Sequence, residues 1–221
     1  MNEFIDMFSS SDPANVSTSV KLLLLLTIFS LAPGILILMT SFTRIIIVLS
    51  FVRTSLATQQ MPPNQVLVGM AMFLTFFIMA PTFSEVYEQG LQPLFNEEIT
   101  LDEAYENASA PLKEFMARHT RQKDLALFLN YTQAETPETV QDIPLTTLVP
   151  AFAISELKTA FQMGFMIFIP FLIIDMAVAS VLMSMGMMML PPVMISLPFK
   201  ILLFVLVDGW YLITQSLLGG F

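Results

Sequence analysis

Five ionisable side chains, Glu156, Lys158, Asp175, Lys200 and Asp208, stand in stretches of sequence that are otherwise almost wholly apolar. Placing one such charge in hydrocarbon costs roughly 2.5–3.5 kcal/mol, so each needs a counter-charge, water or an interfacial position. Two chemistries suit them. Glu156, Asp175 and Asp208 facing one aqueous path would make a proton or ion relay, the heart of a small proton-coupled secondary transporter. Alternatively, Glu156 and Lys200 serve as structural counter-charges, within a subunit or between neighbours, that fix helix register. A relay wants its groups on one path, whereas Asp175 and Asp208 belong to different segments and Glu156 lies near a segment start. The sequence leaves both readings open.

A second constellation is Met183, Met185, Met187, Met188 and Met189, interrupted by Gly186 and closed by Leu190, Pro191 and Pro192. Two prolines stop a helix, and methionine side chains are long, unbranched and easily repacked, so this turn offers a soft apolar surface. Such a surface suits a seal better than a catalyst. Core filler between helices is the competing use. Consecutive helical residues point about 100° apart, however, so the methionines cannot all face one neighbouring helix. Some must face another surface, a cavity or a pore.

Other chemistry is excluded by composition. With no cysteine and a single histidine, His119, there is no thiol nucleophile and no disulfide, and neither a thiolate nor a histidine cluster is available for metal. No phosphate-cradling loop, dinucleotide fingerprint or Gly-x-Ser-x-Gly elbow occurs, so neither enzymatic activity nor a cofactor is expected. No basic stripe interleaved with aromatics occurs either, which argues against a nucleic-acid partner.

The elements that must position these residues are helical and membrane-bound. Over 221 residues the chain is 55% hydrophobic and 12% charged, with mean hydropathy +0.73, far too apolar for an ordinary soluble domain. Four apolar segments stand out: Leu22 to Met39, continuing through Ile45 to Val52; Val66 to Ala80; Phe161 to Met183; and Val193 to Leu218. At about 20 residues per span they predict an all-α, four-span protein of two helical hairpins. Pro33, Pro81, Pro150, Pro170 and Pro198 lie in or beside these segments and predict broken helices packed in an assembly, where freed backbone groups find protein or water.

Three parts follow: residues 1–81, an N-terminal segment with the first hairpin; residues 82–149, an acidic insert; and residues 150–221, the second hairpin with the methionine turn. Of the net charge of −9, the insert carries −8, from twelve acidic and four basic side chains. Arg44 and Arg53, read as lying in the connection between the first two segments, place that connection in the cytoplasm and the insert outside. Within the insert, Leu101 to Leu129 is helix-compatible, with Leu112, Phe115, Met116, Leu125, Leu127 and Phe128 as candidate buried positions. The first twenty residues match a secretory signal poorly and are expected to remain as a short amphipathic helix using Phe4, Ile5, Met7 and Phe8.

Longer motifs now carry a resemblance. T-S-F-T-R-I-I-I-V-L-S-F-V-R from Thr40 to Arg53, Q-Q-M-P-P-N-Q-V-L-V-G-M from Gln59 to Met70, F-I-M-A-P from Phe77, P-A-F-A-I-S-E-L-K-T-A-F from Pro150, and M-G-M-M-M-L-P-P through I-S-L-P-F-K to V-D-G-W at Trp210 resemble the FliP family of flagellar biosynthesis proteins. The match covers most of residues 22 to 218. It implies a subunit of the flagellar type III export gate without enzymatic activity. That gate is a helical pore-forming complex at the bacterial plasma membrane, in the flagellar basal body, holding several copies of the subunit (a homo-pentamer in the family's usual assembly). The implied partners are FliQ and FliR, with FlhA and FlhB nearby, and unfolded flagellar proteins passing through the centre. The resemblance further implies that apolar hairpins pack against neighbouring subunits, largely above the bilayer plane, rather than spanning lipid conventionally. It places the family's methionine-rich gating loop on Met187, Met188 and Met189, flanked by Met183 and Met185. Glu156 and Lys200 fall on family positions associated with assembly, and on this basis they are expected to pair with each other.

Overall fold

The computed structural model describes residues 26–27, 30, 33–58, 60–132, 137–187 and 189–221. The expected N-terminal amphipathic helix and Met188 lie outside them. The chain divides into two compact units, residues 1–37 and 38–221. The described residues of the first unit are helical. In the second, α1 (Phe42–Ser55) and α2 (Asn64–Val86) are followed by a π-helical turn (Tyr87–Leu91) and the short α3 (Gln92–Phe95). Then come α4 (Leu101–His119), α5 (Gln122–Thr132), a 3₁₀ turn (Val140–Asp142), α6 (Leu145–Ser184), α7 (Pro192–Leu206) and α8 (Gly209–Leu218). No strand occurs among the described residues, as the all-α expectation requires.

Helix α1 buries Phe42, Ile45, Val48, Leu49 and Val52, the three-to-four-residue recurrence of a one-sided apolar stripe. That stripe lies along α6, where Phe51 meets Phe161 edge-on at 5.4 Å between ring centroids. The main core cluster is Met79 of α2, Phe115 and Met116 of α4, Ile143, and Leu148 and Phe152 of α6. The acidic insert therefore docks through the apolar face of α4 onto α2 and the first turns of α6. Phe115 and Met116 are buried as expected, and Leu112 and Leu125 pack at the edge of the cluster. Leu127 is exposed, because α5 presents that side of its surface outward.

The boundaries drawn from hydropathy at 81/82 and 149/150 both fall inside helices. Helix α2 continues through Pro81 to Val86, and α6 begins at Leu145 and passes through Pro150 and Pro170. A proline removes one helical hydrogen bond, yet the flanking turns here suffice to carry each helix onward. The bend in the last apolar segment lies beyond Pro198. Helices α7 and α8 meet at 61°, at Asp208, whose φ of 52° is left-handed.

Two helical stretches are long and apolar enough to cross a membrane, Asn64–Phe95 and Leu145–Ser184, and there are up to four if Pro33–Met39 with α1, and α7 with α8, each count as one interrupted span. Helix α6 has 40 residues, about 60 Å at 1.5 Å per residue and twice a hydrocarbon core of about 30 Å. It cannot be a simple span. Its first turns pack on the insert, and its later turns expose Phe165, Ile173 and Met176.

Two capping contacts hold the polar insert. The Thr100 N–H and hydroxyl donate to Glu103 Oε2 at 2.8 and 2.9 Å, and the Thr139 N–H and hydroxyl donate to Asp142 Oδ2 at 2.9 and 2.7 Å. The backbone bond from Thr100, with its hydroxyl second, holds the Glu103 carboxyl below its ordinary 4.5. For Asp142 the Thr139 hydroxyl leads, then its backbone N–H, in lowering the carboxyl from 3.8. A lowered folded value means each cap contributes fully above the ordinary value and is lost as pH falls through the lowered one. Amide exchange at residues 101–104, followed at pH 7, is expected to speed up in Glu103→Gln while the Phe115 and Met116 amides hold. Unchanged exchange at 101–104 would show that the cap does not anchor α4.

Candidate functional site

The ionisable groups resolve into two built pairs. Arg44 extends from the first turn of α1 to Glu156 on α6, donating from Nε to Oε2 at 2.9 Å and from Nη2 to Oε1. Their side chains are 4% and 0% exposed. The third guanidinium nitrogen, Nη1, donates to the Gly220 carbonyl at 2.6 Å, and the Phe221 ring lies 3.8 Å from Cζ. Phe221 in turn stacks on Phe115 at 6.1 Å. One bidentate pair thus ties α1, α6, the residues beyond α8 and the docked insert together. Planar guanidinium geometry makes this possible, since it offers a forked contact and a flat face at once.

The second pair joins α6 to α7. Lys200 Nζ donates to Asp175 Oδ2 at 2.6 Å, and the Ser196 hydroxyl donates to Oδ1 at 2.5 Å. Ser196 and Lys200 are one helical turn apart, which puts both donors on one face. With Phe171 near Phe204 at 6.4 Å, these contacts run α6 and α7 antiparallel as a hairpin.

Three expectations change here. Glu156 and Lys200 do not pair with each other; each has a different partner in the chain. Arg44 is not a loop charge but a buried helical residue, because the carboxylate of Glu156 meets it across the α1–α6 packing. Arg53 likewise lies within α1, in its last turn, where Nη1 donates to Asn64 Oδ1 at 3.1 Å. Glu156, Asp175 and Asp208 do not share one path, since the first two are held by separate cations and Asp208 sits exposed at the α7–α8 bend.

A third polar cluster escaped the sequence reading. The Arg121 N–H donates to Ser155 Oγ at 3.1 Å and its Nη2 donates to Thr159 Oγ1 and Gln162 Oε1 at 3.2 and 2.8 Å, while the Ser155 hydroxyl donates to Asp124 Oδ2 at 2.7 Å. This seam fastens the α4–α5 corner to α6 next to Glu156. A residue between two insert helices carries no sequence signal for a contact 34 to 41 positions away.

The methionine turn joins α6 to α7. Gly186, at φ +74°, follows the helix end; its N–H donates to the Met183 carbonyl at 3.0 Å, and the Met187 N–H donates to the Leu182 carbonyl at 3.0 Å. These are the two bonds of a Schellman ending, which needs a left-handed residue and so favours glycine. Pro191 and Pro192 then start α7, where a missing N–H costs nothing. Met183, Met185 and Met187 are exposed, and Met189 is 99% exposed. Within this chain these four methionines of the turn are therefore not core filler.

The FliP family profile matches residues 25–217. The chain belongs to the FliP family. It is 79% identical over 221 residues, the whole of both chains, to the flagellar biosynthetic protein FliP of Bacillus subtilis. The FliP of Caulobacter vibrioides is 54% identical over 202 residues, covering 91% of this chain and 76% of that one. The FliP of Borreliella burgdorferi is 49% identical over 217 residues, covering 97% and 85%. The profile encloses both ion pairs and the methionine turn, with Gly220 and Phe221 just beyond it.

Proposed function

We propose that this chain is a core subunit of the flagellar type III protein export gate, needed for flagellum assembly. Several copies, with FliQ and FliR and close to FlhA and FlhB, enclose a pore in the basal body at the bacterial plasma membrane, and unfolded flagellar proteins pass through it. The observation that carries this reading is the methionine turn: apolar, held by a backbone cap, and exposed in the lone chain at each of its described methionines. One such turn closes nothing. A ring of them from several copies makes a deformable constriction that blocks ions and yields to an extended polypeptide of any sequence. The two internal ion pairs fit the same role, since they clamp the helices that carry the turn. A relay through Asp175 and Asp208 would need both on one path, whereas Asp175 is bonded to Lys200 and Ser196 between α6 and α7 and Asp208 stands apart at the α7–α8 bend.

Replacing Met187, Met188 and Met189 together by alanine is expected to raise small-ion permeability of the cell envelope by about tenfold or more, because a hydrophobic gate closes by excluding water from its narrowest ring. Native gels should show the complex still assembled. Wild-type permeability in an assembled complex would overturn the gate.

A further inference from the structure

Of the five charges carried by α6, α7 and their corner with α8, three are neutralised inside the chain: Glu156 by Arg44, and Asp175 and Lys200 by each other. One cation and one anion remain. Lys158 projects from α6 on a face where Ile154, Leu157 and Phe161 are all exposed, and it has no ion pair among the described residues. Asp208 stands at the α7–α8 bend, exposed and left-handed, and its carboxylate does not cap α8. Val205, Leu206 and Tyr211 around it are exposed as well. Each charge is thus set in an apolar patch, where burial against hydrocarbon or protein without a counter-charge is costly.

We infer that Lys158 of one copy pairs with Asp208 of the neighbouring copy, at the centre of the interface between them. The inference rests on the multi-copy gate proposed above. The residual charges are equal and opposite and lie on different elements, as a head-to-tail contact between identical chains requires. The lysine stem can cover apolar surface while its ammonium reaches the carboxylate. Trp210 edge-on against Phe204 at 5.2 Å holds the Asp208 corner in place. A lipid phosphate would satisfy Lys158 alone and leave the carboxylate of Asp208 unmatched, so a second copy answers both groups at once.

Charge reversal tests the pair. Lys158→Glu and Asp208→Lys are each expected to reduce recovery of the oligomer by about tenfold, since like charges then face each other, and the double exchange to restore most of it. The chain has no cysteine, so co-expressing a Lys158→Cys copy with a differently tagged Asp208→Cys copy gives an independent readout. Oxidation should yield a mixed, doubly tagged dimer well above either homotypic one. Loss with Lys158→Glu that is indifferent to Asp208 would replace the pair with a lipid phosphate. An oligomer without the mixed cross-link would overturn the pair while leaving the gate standing. A wild-type chain that forms no oligomer would overturn both.

Discussion

Glu156→Gln lowers the stability of the folded chain by about 3–5 kcal/mol, because it leaves the Arg44 guanidinium in the interior without a countercharge. The Gly220 carbonyl and the Phe221 ring remain in contact with Arg44, but neither carries a full negative charge, and at 4% exposure water cannot substitute. Loss of the pair should also loosen the α1–α6 contact and the insert that packs on Phe221. Removing both partners is expected to be far milder: Arg44→Met with Glu156→Leu replaces the pair by apolar groups of similar volume, which buried sites often accept without loss. The surface pair Arg118–Glu114, 66% and 62% exposed, gives an internal control, and Glu114→Gln should cost about 0–1 kcal/mol. Thermal unfolding of detergent-solubilised protein checks all three. A loss for Glu156→Gln no larger than that of the surface control would show that water reaches the pair.

The second large effect is steric. A Cβ on Gly164 would lie 2.4 Å from the Phe51 ring carbons and 2.9 Å from the Phe51 Cβ. The obstruction includes the root of the side chain, so a rotamer change cannot relieve it and the α1–α6 spacing must open. Gly164→Ala is expected to destabilise by about 1–3 kcal/mol, against the usual gain from replacing a mid-helix glycine. Gly164→Leu should prevent the packing altogether. Adding Phe51→Ala to Gly164→Ala should give a loss smaller than the sum of the two single losses, since one substitution makes room for the other. Strict additivity would place the cost of Gly164→Ala in the helix itself rather than in its contact with Phe51.

Hydropathy and proline spacing foretold apolar helices in hairpins, and the family motifs foretold which family. The finer expectations failed where the reading treated a residue as local. The hydropathy pattern reads Arg44 as lying in the connection between the first two apolar segments. In the structure the helix has already begun, and the guanidinium reaches a carboxylate 112 positions on. The family positions of Glu156 and Lys200 suggest that they pair with each other, yet each has a counter-charge on another element. Pro198 is among the prolines that predict broken helices, yet α7 runs through it and the last segment bends at Asp208, where a left-handed residue turns the chain.

By itself the sequence determined an apolar, helical, cysteine-free chain with a single acidic insert, a methionine turn stopped by two prolines, and charges that each demanded a counter-charge. These follow from composition and from short-range backbone rules that depend on residue type alone. Only the tertiary structure decided which charges meet and which remain over, that the insert docks through α4, and that the described methionines of the turn are exposed. Those depend on side chains many positions apart arriving at one point, which the register of α1, α6 and α7 sets and no local spacing records.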